Sequence, residues 1–78
     1  MNHTLKMPKL GDATQEVVVE TWEVDVGAAV EIGDVLMIVE TDKVNAEVPS
    51  PIAGTLVEQL VEEGDEVAVG APFAVFQA

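Results

Sequence analysis

Glu40-Thr41-Asp42-Lys43-Val44 separates two strand-like runs of the chain, the apolar residues 36–39 before it and the alternating residues 44–48 after it. A short polar centre between two such runs predicts a β-hairpin, with Asp42 and Lys43 at the turn and their side chains in water. Such a lysine is protonated and inert by itself at neutral pH, but it is well placed to be modified and presented to other proteins.

The size and composition of the chain favour one small all-β domain. It has 78 residues, 49% of them hydrophobic with many β-branched valines, and no cysteine. A chain of this length buries only roughly 60% of its unfolded surface, so we expect no deep substrate cavity and no catalytic activity of its own. Valine-rich runs favour strands, and no stretch of ten residues has the 3.6-residue period of an amphipathic helix.

The charge is strongly acidic, with fifteen Asp and Glu against three lysines and a formal net charge of −12. An acidic surface repels phosphate groups, so neither nucleic acid nor an anionic membrane is an expected partner. The charge is compatible with two interpretations: it keeps a small domain soluble and monomeric, or it steers the domain toward basic docking surfaces. No apolar run reaches the length of a membrane span or a signal-peptide core, so we predict a soluble intracellular protein.

Runs of alternating apolar and polar residues predict eight strands. Glycine, proline and aspartate separate these runs and predict turns between them. Trp22 is expected at a partly buried core position, whereas His3 is expected in a frayed terminus without companions for a metal site. The predicted strands cover residues 4–7, 15–26, 30–32, 35–41, 44–49, 55–61, 67–69 and 73–76.

An internal repeat predicts the architecture. Gly27 and Gly64 are 37 residues apart in the chain, as are Gly33 and Gly70. Met7-Pro8 resembles the dipeptide 41 residues later, which predicts four extra residues in the first half, between its first two strands. Two similar four-strand halves imply two packed sheets related by an approximate two-fold axis, with the hairpin at the opposite end from the chain termini.

The sequence resembles the lipoyl domain of the acyltransferase component of 2-oxo acid dehydrogenase complexes. The resemblance runs from residue 6 to residue 76. It rests on the motif at 40–44, the Pro49-Ser50-Pro51 segment with Gly54, and the duplicated Gly-Asp turns at 33–34 and 64–65, which occur together and in order. It implies a flattened β-barrel of two four-stranded antiparallel sheets, with lipoic acid attached to Lys43 as an amide. In similar domains, the prolines and Gly54 help to place the turn.

The resemblance also implies a function, that of a carrier whose lipoyl-lysine arm moves acyl groups and electrons between active sites. The implied partners are a lipoate ligase or lipoyl transferase, a thiamine diphosphate-dependent decarboxylase, an acyltransferase core and dihydrolipoyl dehydrogenase. The expected location is the bacterial cytoplasm or the mitochondrial matrix. We expect this chain to be the N-terminal domain of a larger acyltransferase subunit and to be a monomer when isolated. The substrate remains open among pyruvate, 2-oxoglutarate, a branched-chain 2-oxo acid and acetoin.

Two groups of residues are expected to be recognised by these partners. The first flanks the attachment site and consists of Glu40, Thr41, Asp42 and Val44. The second begins the long loop at 9–16, which carries the extra residues and is expected near Lys43; it consists of Lys9, Leu10, Gly11 and Asp12.

Four other interpretations compete with this one. A biotinyl carrier domain of a carboxylase shares the hairpin lysine, but typically flanks it with methionines, whereas Asp42 and Val44 stand here. A free-standing lipoyl carrier is a second alternative, although the carrier protein of glycine cleavage, which also carries lipoate, is usually longer, with added helices. An enzyme that uses Lys43 as a Schiff-base nucleophile would need burial or a neighbouring cation, and the neighbour is a carboxylate. An unmodified structural β-module is the fourth.

Overall fold

The computed structural model describes residues 1–10, 15–41 and 44–78. Over these ranges the chain forms eight strands and no helix, so none of the described residues belongs to a helix that could span a membrane. The all-β prediction is therefore confirmed. The strands are β1 (Asn2–Lys6), β2 (Glu16–Trp22), β3 (Ala29–Val30), β4 (Val35–Glu40), β5 (Asn45–Pro49), β6 (Gly54–Gln59), β7 (Glu66–Ala68) and β8 (Pro72–Gln77).

Alternation along each strand decides which side chains enter the core. In β2, Val17 and Val19 are buried while Glu16 and Glu20 are exposed, as expected for a strand with one wet face. The prediction was wrong at Ile32, whose side chain is 73% exposed outside any strand. The turn that follows β3 takes Ile32 out of the sheet, so apolar character there did not lead to burial.

The strands form two four-stranded antiparallel sheets. Their strand orders are β1-β8-β6-β3 and β5-β4-β2-β7. Exchanging each strand for its counterpart four places along the chain converts the first order into the second. The approximate two-fold relation predicted from the repeat is therefore present in the sheet topology, and the two sheets pack face to face around one core.

Glycine turns repeat with the sheets. Gly27 and Gly64 have φ of 96° and 95°, and Gly33 and Gly70 have φ of 93° and 91°, a region that side chains other than glycine rarely adopt. The backbone N–H of Gly27 donates to the carbonyl of Leu56, and that of Gly64 donates in the same way to the carbonyl of Val19. Both halves of the chain therefore need glycine at corresponding positions.

The alignment of the first strands corrects the sequence prediction. The N–H of Gly33 donates to the carbonyl of Ser50, and the N–H of its counterpart Gly70 donates to that of Met7, both at 2.8 Å. Ser50 is therefore the counterpart of Met7, at an offset of 43 residues, whereas the sequence had matched Val48 to Met7 at 41. The first half carries six extra residues rather than four. A shift of two residues preserves the side-chain alternation, so the hydrophobic pattern could not detect it.

All eight strands contribute buried side chains to the core. Trp22 packs against this core, with its ring centroid 6.3 Å from that of Phe73 and its indole N–H donating to the carbonyl of Val61. Its predicted position is confirmed. The buried side chains are Leu5, Met7, Val17, Val19, Val30, Leu36, Met37, Val39, Val48, Leu56, Val67, Phe73, Ala74 and Phe76.

The chain termini lie side by side. Asn2 pairs with Gln77 across β1 and β8, and the N–H of Ala78 donates to the carbonyl of Met1 at 3.1 Å. His3 is part of this ladder and pairs with Phe76, so the expectation of a frayed terminus at His3 was wrong. The molecule is 34 Å long and about 20 Å across.

Candidate functional site

The end of the β4–β5 hairpin is closed by hydrogen bonds between the residues on either side of the predicted turn. The N–H of Thr41 donates to the carbonyl of Val44 at 2.9 Å, and the Thr41 hydroxyl donates to the same oxygen at 2.7 Å. Glu40 pairs with Asn45 immediately behind them. Asp42 and Lys43 lie outside the described residues, and their predicted roles as recognition and attachment residues stay predictions.

The side chains around this end are accessible. Val44 is 64% exposed despite being apolar, and Glu40 is also exposed. Exposure of a valine beside the predicted attachment residue leaves an apolar surface that a modifying enzyme or another partner can contact. The structure thus brings three predicted recognition residues, Glu40, Thr41 and Val44, to one accessible end of the molecule.

Core packing and a side-chain hydrogen bond to a neighbouring strand fix the position of the hairpin end. Val39 and Val19 pair with each other just before the hairpin end and are almost completely buried. The last strand pairs before the turn are therefore fixed by core packing. The side-chain amide nitrogen of Asn45 donates a hydrogen bond to a carboxylate oxygen of Glu20 on β2, at 3.3 Å. This hydrogen bond joins β5 to β2 across β4 and fixes the end of the hairpin relative to β2.

The second predicted group is split by the structure. Lys9 is exposed, and Leu10 packs against the core beside Pro49 and Pro51. Pro49 lies at the other end of β5 from Asn45, about 13 Å away at the strand rise. Lys9 and Leu10 are therefore separated from Thr41 and Val44 by the length of β5. Gly11 and Asp12 lie outside the described residues, and recognition by this loop stays a prediction.

The loop returns to the sheet close to the hairpin. Val18 of β2 pairs with Glu40 of β4, and β2 begins two residues earlier, at Glu16. The chain therefore enters β2 at the same end of the sheet at which β4 leaves it.

The outer face of this sheet is acidic. It carries exposed glutamates on every strand, which we call the acidic face: Glu16, Glu20, Glu40, Glu47 and Glu66. A hydrogen bond with Glu66, the negative charge of Glu66 and slight desolvation raise the pKa of Glu16 above its ordinary value of 4.5. Glu16 on β2 and Glu66 on β7 thus interact across neighbouring strands, in a chain with few cations.

This environment disfavours nucleophilic lysine chemistry next to the hairpin. A Schiff-base lysine requires a neighbouring cation or an apolar pocket that disfavours its charge, and the described surroundings supply carboxylates and water instead. Within residues 1–10, 15–41 and 44–78, no three metal-ligating side chains come together. What the site offers is an accessible, hydrogen-bonded platform at one end of a rigid domain.

Comparison with known proteins decides the family. The family model Biotin_lipoyl, described as "Biotin-requiring enzyme", matches residues 3–76. The chain belongs to the biotin/lipoyl family. Within that family it is a lipoyl domain. A solved structure that it resembles is the lipoyl domain of the 2-oxoglutarate dehydrogenase complex from Azotobacter vinelandii, with a TM-score of 0.75, 29% identity, and coverage of 96% of this chain and 95% of that one.

Curated relatives are acyltransferase components of 2-oxo acid dehydrogenase complexes. The acetyltransferase component of the pyruvate dehydrogenase complex of Corynebacterium glutamicum is 47% identical over 90% of this chain. The succinyltransferase component of the 2-oxoglutarate dehydrogenase complex of Bartonella vinsonii subsp. berkhoffii is 42% identical over all of it. The lipoyl domain spans only 10% and 19% of the lengths of these two relatives.

Sequence reasoning missed two contacts of this site. The hydrogen bond between Asn45 and Glu20 and the interaction between the carboxyl groups of Glu16 and Glu66 both join residues far apart in the chain. Alternation indicated that these side chains face water, but only the strand order places β2 between β4 and β7. No local signal in the sequence gives that order.

Proposed function

We propose that Lys43 is the attachment site of lipoic acid and that the domain carries this group between the active sites of a 2-oxo acid dehydrogenase complex. The observation that carries the proposal is the Glu40 to Val44 motif at the accessible end of a lipoyl-domain fold, closed by the two hydrogen bonds between Thr41 and Val44. Attachment forms an amide between the lysine amine and the lipoate carboxyl group, with loss of water. The formal net charge then becomes more negative by one than its present −12.

The described residues suit a group that must move. Glu40 and Val44 leave the hairpin end open to solvent, so a long chain attached there is free to enter the active site of another protein. When attached, lipoate supplies a dithiolane that accepts an acyl group and two electrons, and then gives up each in turn. The domain itself supplies position, since its buried core and paired strands keep the base of the arm fixed.

Distance from the tether supports the carrier role. β1 begins beside β8 at the termini, and its counterpart β5 begins beside β4 at the hairpin. Both strands run toward a shared groove near Lys6 and Pro49, so their starting points lie toward opposite ends of a molecule 34 Å long. A domain linked through its termini therefore presents the hairpin away from the linker. Linkage raises the effective concentration of the arm at each active site without new contacts.

The proposed partners follow from this role. They are a lipoate ligase or lipoyl transferase, a thiamine diphosphate-dependent decarboxylase, an acyltransferase core in the same subunit, and dihydrolipoyl dehydrogenase. The acidic face adjoins the hairpin and suits basic surfaces around the entrances to these active sites. We propose the bacterial cytoplasm or the mitochondrial matrix as the compartment, and acyl transfer as the activity of the parent subunit rather than of this domain.

The test is modification followed by mass measurement. The domain is incubated with lipoic acid, ATP and a lipoate ligase, and in parallel with biotin, ATP and a biotin ligase, before intact-mass analysis and peptide mapping. We expect one lipoyl group, confined to Lys43, and no biotin. Lys43→Gln should accept nothing, whereas the matched control Lys6→Gln should be lipoylated as the unaltered domain is.

Other results would contradict the proposal. A folded domain that accepts biotin at Lys43 belongs with a carboxylase, and one that accepts neither group is not a carrier. In a reconstituted complex, Lys43→Gln should abolish overall turnover while leaving circular dichroism unchanged. Retained turnover would exclude the arm as the route of transfer.

A further inference from the structure

An open apolar groove lies between the two edge strands β1 and β5. Its volume is about 600 Å³, within the range of sites that bind small molecules or peptide segments. Leu5, Val48 and Phe73 form its floor, and Leu10 lines one side. The segment from Pro49 to Pro51 also lines the groove.

The charge of this groove is opposite to that of the rest of the domain. Lys6 and Lys9 both line it, and they are two of the three lysines in a chain that has no arginine and a formal net charge of −12. A surface cation in so acidic a chain would be expected near the many glutamates, but these two stand together over apolar side chains. The groove therefore favours a ligand that is apolar along its length and anionic at one end.

The unpaired backbone groups along edge strand β1 favour an extended peptide as the ligand. Among the described strands, β1 pairs only with β8 and β5 only with β4. An edge strand turns one row of N–H and C=O groups away from its neighbour, and an extended peptide can pair with that row. β5 ends in Pro49, which has no N–H to donate, whereas β1 contains no proline. The five residues of β1 offer an edge of about 16 Å.

We propose that this groove binds an extended peptide segment of a partner protein, in which alternating apolar residues are followed by acidic ones. The peptide would pair with the edge of β1 and place apolar side chains over Leu5 and Val48. Its carboxylates would meet the ammonium groups of Lys6 and Lys9. This site is separate from the lipoyl-lysine, so the proposal does not depend on modification of Lys43.

The test is an NMR titration of the unlipoylated, isotope-labelled domain with a defined probe. The probe is a capped octapeptide of alternating valine and threonine that ends in two aspartates; in the matched control peptide, two lysines replace the aspartates. We expect the acidic probe to shift the amides of β1, Lys9, Leu10 and Val48 while those of Thr41 and Val44 stay in place. The basic control should bind at least fivefold more weakly.

A charge-matched pair of variants tests the two lysines. Lys6→Gln with Lys9→Gln should weaken binding of the acidic probe about fivefold, as expected for the loss of two exposed ion pairs. Gln15→Glu with Gln77→Glu makes the same change in net charge at two exposed positions outside β1 and outside the groove, and should leave binding almost unchanged. Thermal unfolding of each variant shows whether the fold is retained.

Several results would overturn the proposal. These are absence of binding by the acidic probe, shifts confined to other surfaces, equal binding of the acidic and basic peptides, or an equal loss in both double variants. Octanoate is tested as a second probe, for a small carboxylic acid. If it produced the shifts that the acidic peptide failed to produce, the groove would be a site for small carboxylic acids rather than for a peptide. Lipoylation of Lys43 is unaffected by any of these outcomes and is measured separately.

Discussion

Replacement of Gly54 by alanine should destabilise the domain by direct collision rather than by backbone strain. Gly54 begins β6 and lies against the C-terminal end of β8. A Cβ added there would stand 2.5 Å from the carbonyl oxygen of Gln77 and 3.3 Å from the Cβ of Ala78. The first atom belongs to the backbone of a paired strand, since Gln77 pairs with both Thr55 and Asn2, so it has no side-chain freedom with which to move.

The expected cost is a large share of the total stability. An ordinary contact between these atoms requires a separation of at least 3.4 Å, so the strands must separate by most of an ångström at this point. Overpacking of this kind costs about 2 to 3 kcal/mol. A domain of this length has a total unfolding free energy of about 4 to 12 kcal/mol. The corresponding fall in Tm is about 8 to 24 °C.

A crossover between two glycines tests the mechanism. Gly64 has φ of 95° and open space where a Cβ would stand, so Gly64→Ala should cost only about 1 kcal/mol of backbone strain. Asparagine tolerates that conformation better than alanine, so Gly64→Asn should be milder than Gly64→Ala. At Gly54 the larger side chain should be worse, and Gly54→Asn should unfold more readily than Gly54→Ala. Thermal unfolding followed by circular dichroism measures all four variants.

The result that would refute this reasoning is the same ranking of alanine and asparagine at both positions, or a Gly54→Ala domain within 2 °C of the original Tm. Modification provides a second readout. Because Gly54 adjoins the termini rather than the hairpin, the folded fraction of Gly54→Ala should still be lipoylated at Lys43 at the original rate. A lower rate in fully folded protein would show that Gly54 acts on recognition as well.

Two further predictions concern the hairpin and the acidic face. Thr41→Val removes the hydroxyl that donates to the carbonyl of Val44 and should slow lipoylation about threefold to tenfold, as expected for one lost hydrogen bond, whereas Thr41→Ser should preserve the rate; equal rates would exclude this role. The pKa of Glu16 is raised in the folded state, so the folded domain binds this proton more tightly and its ionisation at higher pH opposes folding. Glu16→Gln should therefore raise Tm at pH 7, with a gain that disappears as pH falls below the ordinary value of 4.5; Glu47→Gln controls for net charge, and a gain independent of pH would contradict the cause.

Much of the fold could be predicted from the sequence because the signals are local and repeated. Alternation identified the strands, and the glycine pairs 37 residues apart predicted corresponding turns, which the matching φ values confirm. The lengths of strands were less predictable. β2 ends at Trp22 rather than at residue 26, because the chain leaves the sheet to form the turn before Gly27, and residues beyond the last paired position retain the apolar pattern of a strand.

The candidate site was predictable only where one segment contains it. Glu40, Thr41 and Val44 are neighbours in the chain, and the structure keeps them together at the hairpin end. Lys9 and Leu10 were expected near the same end, but they line a groove with Val48 and Pro49, at the other end of β5. Their position depends on how β1 and β5 are placed relative to each other, which no local pattern specifies.

The sequence by itself determined the fold class, the two-fold repeat and the family, because side-chain alternation, glycine turns and a contiguous motif are all properties of short segments. Only the tertiary structure decided the offset of 43 residues between Met7 and Ser50, the contact of Gly54 with Gln77, and the meeting of Lys6 and Lys9 over one groove. Each of these depends on which strands become neighbours and in which register. A shift of register by two residues leaves the pattern of apolar and polar side chains unchanged, so packing of the whole chain must select among arrangements that the pattern treats as equal.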